Sequence, residues 1–217
     1  AVRIPDGDEV QAWREHDALL SEKCEILNKY QFTELHYENE AGTDFRVGLV
    51  KNHIWEGGSE ESGSGVRFIA NMPTEEVFTM PDYRKAEGKV VSSRPLSYRG
   101  NLIKDFSLTF HEGKVVDFDA REGYDALKQL LDTDEGSKSL GEVALVPYAS
   151  PISEMGILFY NTLFDENASC HLALGECYPT TVQDGEKMNE EELHQIGGNH
   201  SINHVDFMIG TKDMKIT

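Results

Sequence analysis

Six side chains in apolar or tightly patterned segments of this 217-residue sequence have the chemistry of metal ligands. An ionised carboxylate in such a segment is costly unless a partner compensates its charge. Four carboxylates and two imidazoles, with no thiolate required, form a ligand set for zinc, cobalt, manganese or magnesium. Two divalent cations would also cancel the charge of the four carboxylates. The six candidates are Glu76, Glu142, Glu166, His171, His204 and Asp206.

The spacing of these residues indicates how the chain would bring them together. His204 and Asp206 are two residues apart in a predicted strand, so their side chains leave the same face. Glu166 and His171 are five residues apart, which suits a loop that delivers Glu166 and a strand, HLALG, that delivers His171. Taken singly, a buried glutamate is more often a salt-bridge partner, and a strand histidine is more often simply hydrogen bonded. Spacing alone therefore favours a metal site without establishing one.

Other catalytic signatures are absent from the sequence. It contains no HExxH, CxxC or GxSxG pattern and no phosphate-binding loop. Cys170 and Cys177 are seven residues apart, and each is predicted to be a small apolar filler rather than a nucleophile. Three cysteines do not make a disulfide framework, which favours a cytoplasmic location.

The net charge of the chain argues against two classes of binding partner. Lys and Arg together number 20 and Asp and Glu 39, which gives a formal net charge of −19. Binding to nucleic acid or to an anionic membrane needs clustered basic residues, so neither is an expected partner. No apolar run reaches the ~18 residues that a membrane span requires.

Hydrophobic periodicity predicts an α/β fold, a mixed β-sheet domain flanked by helices. An amphipathic helix over 7–29 precedes two strands joined by a hairpin turn at 39–42. The segments 57–65 and 71–81 are predicted to be loops. The continuous apolar run 143–146 is typical of a strand covered on both faces. Further strands are predicted at 66–70, 89–93, 101–110, 114–119 and 204–209, and further helices at 122–131 and 189–194.

Four long blocks of the sequence together resemble the thermophilic-metalloprotease family of aminopeptidases, of the aminopeptidase T, aminopeptidase S and PepS type. Two supporting segments, GTDFRVGL (42–49) and HEGKVVDF (111–118), fit the same family. The order of the blocks makes the resemblance specific, and it runs from about residue 40 to the C-terminus. The four blocks are NMPTEEVFT (71–79), LGEVALVPYASPI (140–152), FYNTLFDENASCHLALGECY (159–178) and NHSINHVDFMIGT (199–211).

The resemblance implies a metalloaminopeptidase that holds two divalent ions, zinc or cobalt before manganese or magnesium, and removes the N-terminal residue of a peptide. The family's metal ligands fall on the six candidates above, with Glu142 as the bridging ligand. Its catalytic tyrosine falls on Tyr178, whose O–H would donate to the tetrahedral oxyanion. Glu75 is a candidate for recognising the substrate amine or moving a proton. Our division of the ligands places Glu76, Glu142 and His204 on one ion and Glu142, Glu166, His171 and Asp206 on the other.

The resemblance also implies an N-terminal domain in family members, which residues 1–217 are not expected to include. Residues 1–217 are therefore predicted to be the single catalytic, C-terminal domain of a two-domain aminopeptidase. The expected partners are peptides with a free N-terminus, and the resemblance implies a homodimer for the full-length protein.

Three alternatives remain open at the level of the sequence. One is a catalytically silent metal-binding fragment that needs the absent domain to close its substrate site. Another is a binuclear metal hydrolase that acts on a different amide or ester bond. The third is a non-catalytic acidic module that binds calcium or structures an interface. Imidazoles are poor calcium ligands, so His171 and His204 weigh against this third reading.

Overall fold

This computed structural model describes residues 7–217 of the chain. Within that range the chain forms five α-helices and thirteen strands, joined by loops and short 3-10 turns. The helices are α1 (Glu9–Tyr30), α2 (Tyr124–Leu131), α3 (Pro151–Met155), α4 (Thr162–Asp165) and α5 (Glu190–Ile196). The strands are β1 (Glu34–Glu38), β2 (Asp44–Leu49), β3 (Ser59–Glu61), β4 (Arg67–Ile69), β5 (Val77–Thr79), β6 (Pro81–Val91), β7 (Leu96–Tyr98), β8 (Asn101–His111), β9 (Lys114–Glu122), β10 (Leu140–Leu145), β11 (His171–Gly175), β12 (His204–Met208) and β13 (Lys215–Ile216).

The strands form two principal antiparallel sheets and one separate hairpin. The larger sheet has the order β13-β1-β2-β6-β8-β7, with β9 paired to β8, and the smaller sheet has the order β12-β11-β10-β5. Strands β3 and β4 pair only with each other. The fold is mixed α/β, as the sequence predicts. Within the described part of the chain, none of the helices combines the length and the apolar character that crossing a bilayer requires.

The small sheet turns one face towards the main hydrophobic core. Side-chain alternation along β10, β11 and β12 directs Val143, Leu172, Leu174 and Phe207 into that core, where each is at most 1% exposed. Fully burying one such side chain contributes about 1.5–3 kcal/mol. The core therefore fixes which way the small sheet faces, and with it the side chains on the opposite face.

The first helix and the hairpin after it confirm the predictions for this part of the chain. Helix α1 begins after Asp8, whose carboxylate accepts a hydrogen bond from the backbone N–H of Gln11 at 2.9 Å. Such a side chain satisfies one of the unpaired N–H groups of a helix N-terminus. Strands β1 and β2 then pair in antiparallel register, with Tyr37 opposite Phe45 in the core.

The loop predictions for two segments are wrong in part. The segment 57–65 contains β3, and the segment 71–81 contains β5 and the start of β6. Strands β3 and β5 have three residues each, which is too short for alternation to reveal them. Strand β5 matters for function because it forms the edge of the small sheet beside β10.

Candidate metal centre

One face of the small sheet carries four of the six candidate ligands. Glu142 of β10 and Asp206 of β12 both pair with Ala173 of β11, so the three residues form a row across the strands. His171 and His204 each lie two residues from a member of this row and share its face. Ala173 has only a methyl side chain, which leaves space between the carboxylates. The face of the small sheet opposite the core therefore carries two of the candidate acids and both candidate imidazoles.

Two loop segments add the other two candidates to the same place. Glu76 directly precedes β5, whose Phe78 pairs with Ala144 of β10. Glu166 lies in a 3-10 turn that follows α4. Both carboxylates are buried. All six predicted ligands are thus found in one region of the fold.

The interatomic distances make Glu142 the centre of the arrangement. Its Oε1 lies 3.4 Å from His171 Nε2, and its Oε2 lies 3.7 Å from His204 Nε2. His171 Nε2 is also 2.9 Å from Glu76 Oε2, and His204 Nε2 is 3.2 Å from Asp206 Oδ1. Two sets of three ligand atoms result, each within 4.8 Å of one another, and Glu142 belongs to both sets.

These two sets differ from the division made on the sequence. The structure groups His171 with Glu76 and Glu142, and it groups His204 with Glu142 and Asp206. The reason is the strand register: His171 pairs with Ala144 and lies on the side of β5, whereas His204 pairs with Gly175 at the opposite end of β11. Among the described residues, neither set of three includes Glu166.

Backbone carbonyls orient both imidazoles. His171 Nδ1 lies 3.2 Å from the carbonyl oxygen of Ser169, and His204 Nδ1 lies 2.8 Å from that of Glu176. A carbonyl only accepts, so each Nδ1 is the protonated donor. Each Nε2 is then directed at the carboxylates, which is the orientation that metal-ligating histidines commonly adopt.

The charge balance of the centre fits bound cations. Among residues 7–217, no Lys or Arg forms an ion pair with the centre's carboxylates; their ion-pair partners are His171 and His204. In the same described range, Glu76 Oε2 and His171 Nε2 are buried and form an ion pair at 2.9 Å, but neither atom makes a hydrogen bond of regular geometry. Buried polar atoms are normally satisfied, because leaving them unpaired costs free energy. Divalent ions would supply both the missing charge and the missing partners.

The pKa values reflect the same shortage of positive charge. Burial raises the pKa of Glu166 to about 9, and the charges of Glu76 and Asp206 add to the effect. Burial also raises the pKa of Glu142 to about 7, against an opposing interaction with His171. Without cations, the carboxyl groups of Glu142 and Glu166 therefore hold protons well above their usual range.

The pKa values of the two imidazoles are raised as well. Burial alone would lower the pKa of His204, but the hydrogen bond and charge of Asp206 outweigh it and raise the pKa to about 9. Burial likewise opposes the charged form of His171, and its interactions with Glu142 and Glu76 nevertheless raise its pKa. Protonated imidazoles are thus the positive charge that this chain itself offers to the acids.

Tyr178 borders the centre on its solvent side. Its ring centroid lies 4.7 Å from that of His204 and 5.9 Å from that of Phe78, and the residue is 45% exposed. Burial of part of the side chain, together with the charges of Glu142 and Asp206, raises the pKa of the phenol above its ordinary value of 10.0. Tyr178 is therefore a hydrogen-bond donor at neutral pH, on the exposed border of the centre.

The neighbouring cysteines are free thiols, as expected of core residues. Burial raises the pKa of Cys177 to about 12. Burial also raises the pKa of Cys170, whose Sγ–H donates to the carbonyl of Val146 at 3.3 Å. Neither residue is present as a thiolate at neutral pH, so the structure supports their assignment as packing residues.

Two further residues lie beside the centre. Glu75, which the sequence suggests for amine recognition or proton transfer, has its carboxylate 3.5 Å from His16 of α1. Asn167, the residue after Glu166, accepts a hydrogen bond from the backbone N–H of Glu75, which lies 92 positions earlier in the sequence. The only sequence signal for Asn167 is its place in the DENA block, because no periodicity links positions so far apart.

Comparisons with known proteins identify the family of the chain and support its fold. A sequence profile of the family described as "Thermophilic metalloprotease (M29)" matches residues 1–217. The chain is 54% identical to aminopeptidase AmpS of Bacillus subtilis and 53% identical to aminopeptidase 2 of Geobacillus stearothermophilus. These matches cover 100% and 99% of this chain, but 52% of each relative, so the chain spans about half their length. The solved structure of wild-type AmpT from Thermus thermophilus is 43% identical and superposes with a TM-score of 0.89, over 95% of this chain and 51% of that one.

Proposed function

Because the chain belongs to the thermophilic metalloprotease (M29) family, we propose that it is the metal-bearing part of a metal-dependent aminopeptidase. It would release the N-terminal residue of peptides with the help of two divalent ions. The observation that carries the proposal is the position of Glu142, whose two carboxylate oxygens face two different imidazoles. A carboxylate that is shared in this way is suited to bridge two ions.

The residues divide into two ligand sets around this carboxylate. Glu76, Glu142 and His171 would hold one ion, and Glu142, His204 and Asp206 would hold the other. Glu166 would supply a further carboxylate at the same centre. When bound, divalent ions supply Lewis-acid activation of water and of the scissile carbonyl. Zinc and cobalt are proposed before manganese and magnesium because imidazoles take part in both sets.

Tyr178 and the acidic surroundings would serve the substrate. The phenol O–H of Tyr178 stays protonated at neutral pH and would donate to the oxyanion that develops on the scissile carbonyl. The negative field of the centre, in a chain of net charge −19, would attract the protonated α-amine of a peptide. Recognition of that amine explains why the enzyme would remove one N-terminal residue at a time. We further propose a cytoplasmic location and, for the full-length protein, a homodimer.

A paired substrate assay tests the proposal. Release of p-nitroaniline from Leu-p-nitroanilide would be compared with release from the N-acetylated analogue, before and after a chelator and after zinc or cobalt is restored. The proposal expects release from the free amine alone, loss on chelation and recovery with metal. Equal cleavage of both substrates would contradict an aminopeptidase and favour a metal hydrolase of another amide bond. Tightly bound metal without release of p-nitroaniline would favour a metal-binding chain that is catalytically inactive by itself and needs the additional residues found in its longer relatives.

A further inference from the structure

Asn167 connects two loops that carry candidate ligands. It directly follows Glu166, and its side chain is fully buried at 0% exposure. Its Oδ1 accepts a hydrogen bond from the backbone N–H of Glu75 at 2.7 Å, and Glu75 directly precedes Glu76. The residue after one candidate ligand is therefore bonded to the residue before another, across 92 positions of sequence.

The amide nitrogen of Asn167 extends the same connection. Nδ2 donates to the carbonyl oxygen of Leu163 at 3.0 Å and to that of Pro73 at 3.4 Å. The backbone carbonyl of Asn167 accepts from Ser150 Oγ at 2.6 Å, and Ser150 caps helix α3. One buried residue thus ties the loop of Glu76, the turn of Glu166 and the start of α3 into one unit.

We infer that Asn167 is a positioning residue of the metal centre, which sets the place of Glu76 relative to Glu142 and His171. The inference rests on the proposed function, since it concerns how the chain prepares that centre for its ion. A ligand that lies on a loop of its own needs such support. Glu76 precedes a strand of three residues, and the paired strand by itself does not fix the loop on its N-terminal side.

Asparagine is the residue type that this position requires. The site presents one donor and two carbonyl acceptors, and a primary amide satisfies both kinds of group. An aspartate would face two carbonyl oxygens without a hydrogen to donate and would add charge beside four carboxylates. A leucine would remove the partner that Asn167 provides to the N–H of Glu75 and to the carbonyls of Pro73 and Leu163. A glutamine would add a methylene where Asn167 is already fully enclosed.

The variant Asn167→Ala tests the inference through metal affinity. Zinc dissociation constants would be measured by competition with a chromophoric chelator, alongside the melting temperature. Residues that support metal ligands typically contribute about 10–100-fold to affinity. We expect a loss of that size for one of the two ions and a smaller change for the other.

Asn28→Ala is the matched control, because Asn28 also bonds twice to backbone, accepting from Trp55 N–H at 2.7 Å and donating to its carbonyl at 3.0 Å. It is none of the six candidate ligands. We expect a lower melting temperature for this control with zinc affinity unchanged, which separates positioning from general stability.

If Asn167→Ala does not fold, the variant Ser150→Ala tests the inference in its place. It removes only the hydroxyl that donates to the carbonyl of Asn167 and should weaken zinc binding to a lesser degree. Wild-type affinity in Asn167→Ala, or in Ser150→Ala when the former is unfolded, would overturn the inference and leave the proposed function standing. A wild-type chain that binds no zinc would overturn both.

Discussion

His171 Nε2 lies 2.9 Å from Glu76 Oε2, and within residues 7–217 neither of these buried atoms makes a hydrogen bond of regular geometry. Two polar atoms at this separation would be expected to form a hydrogen bond if their orientations allowed it. Glu142 Oε1 lies 3.4 Å from the same imidazole nitrogen. Glu76, Glu142 and His171 each offer a ligand atom within 4.8 Å of the other two, as ligands of one ion would.

The histidines provide the first prediction, because each belongs to a different ligand set. His171→Ala is expected to remove the ion held with Glu76, and His204→Ala the ion held with Asp206. Each variant should then retain close to one ion per chain. Elemental analysis after gel filtration measures the number. If either variant keeps two ions with wild-type affinity, that histidine is not a ligand.

Tyr178 provides a second prediction. Tyr178→Phe removes the hydroxyl and keeps the ring that packs against His204 and Phe78. We expect both ions to stay bound and turnover of Leu-p-nitroanilide to fall by about 10²–10³, the usual loss for one oxyanion donor. Tyr160→Phe is a control, because Tyr160 is 66% exposed and belongs to neither ligand set. Parent-level turnover in Tyr178→Phe would contradict the assigned role.

The two faces of β11 provide a third prediction. Ala173 lies between Glu142 and Asp206, so Ala173→Val would place two further methyl groups among the ligands. We expect this variant to remain folded and lose affinity for both ions. Leu172→Ala changes the adjacent residue, which points into the core, and should lower the free energy of unfolding by about 2–5 kcal/mol while both ions still bind. Unchanged metal affinity in Ala173→Val would contradict the position of the ions on this face.

Asp134 provides a prediction about pH. Partial burial opposes ionisation, but hydrogen bonds from the Ile202 N–H and from Ser137 and Ser201 lower the pKa of Asp134 from 3.8 to about 2. A carboxyl whose pKa is lower in the folded state stabilises the fold above its unfolded pKa and stops doing so as pH falls through its folded pKa.

Asp134→Asn should therefore cost stability at pH 6 and cost progressively less as pH falls from about 4 towards 2. After allowance for solvent screening of a partly exposed group, the difference at pH 6 is about 1–2 kcal/mol. Urea unfolding of both proteins across this pH range measures it. A difference that does not change with pH would show that the charge of Asp134 contributes nothing.

Local sequence patterns predict much of this arrangement. Alternation along β12 is enough to place His204 and Asp206 on one face, and the apolar run around Glu142 marks a buried strand that carries an acid. The long helix α1 and the hairpin of β1 and β2 follow from period and turn residues. These features depend on neighbours in sequence, which a single chain displays directly.

What escapes prediction depends on contacts between distant segments. The grouping of His171 with Glu76 follows from the pairing of β10 with both β5 and β11, and β5 is too short to produce a periodic pattern. The connection from Asn167 to Glu75 spans 92 positions and is invisible in either segment alone. The sequence therefore predicts which face a ligand occupies, whereas the register of the sheet decides which ligand is its neighbour.

The number of divalent ions bound by the wild-type chain and by Glu142→Gln tests the shared carboxylate most directly. Both proteins would be loaded with zinc, freed of excess metal and analysed for metal content, with the exposed Glu154→Gln as a matched control. We predict close to two ions for the wild type and the control, and loss of tight binding at both positions in Glu142→Gln. A wild-type chain without bound zinc, or a Glu142→Gln variant that keeps two tightly bound ions, would contradict the account.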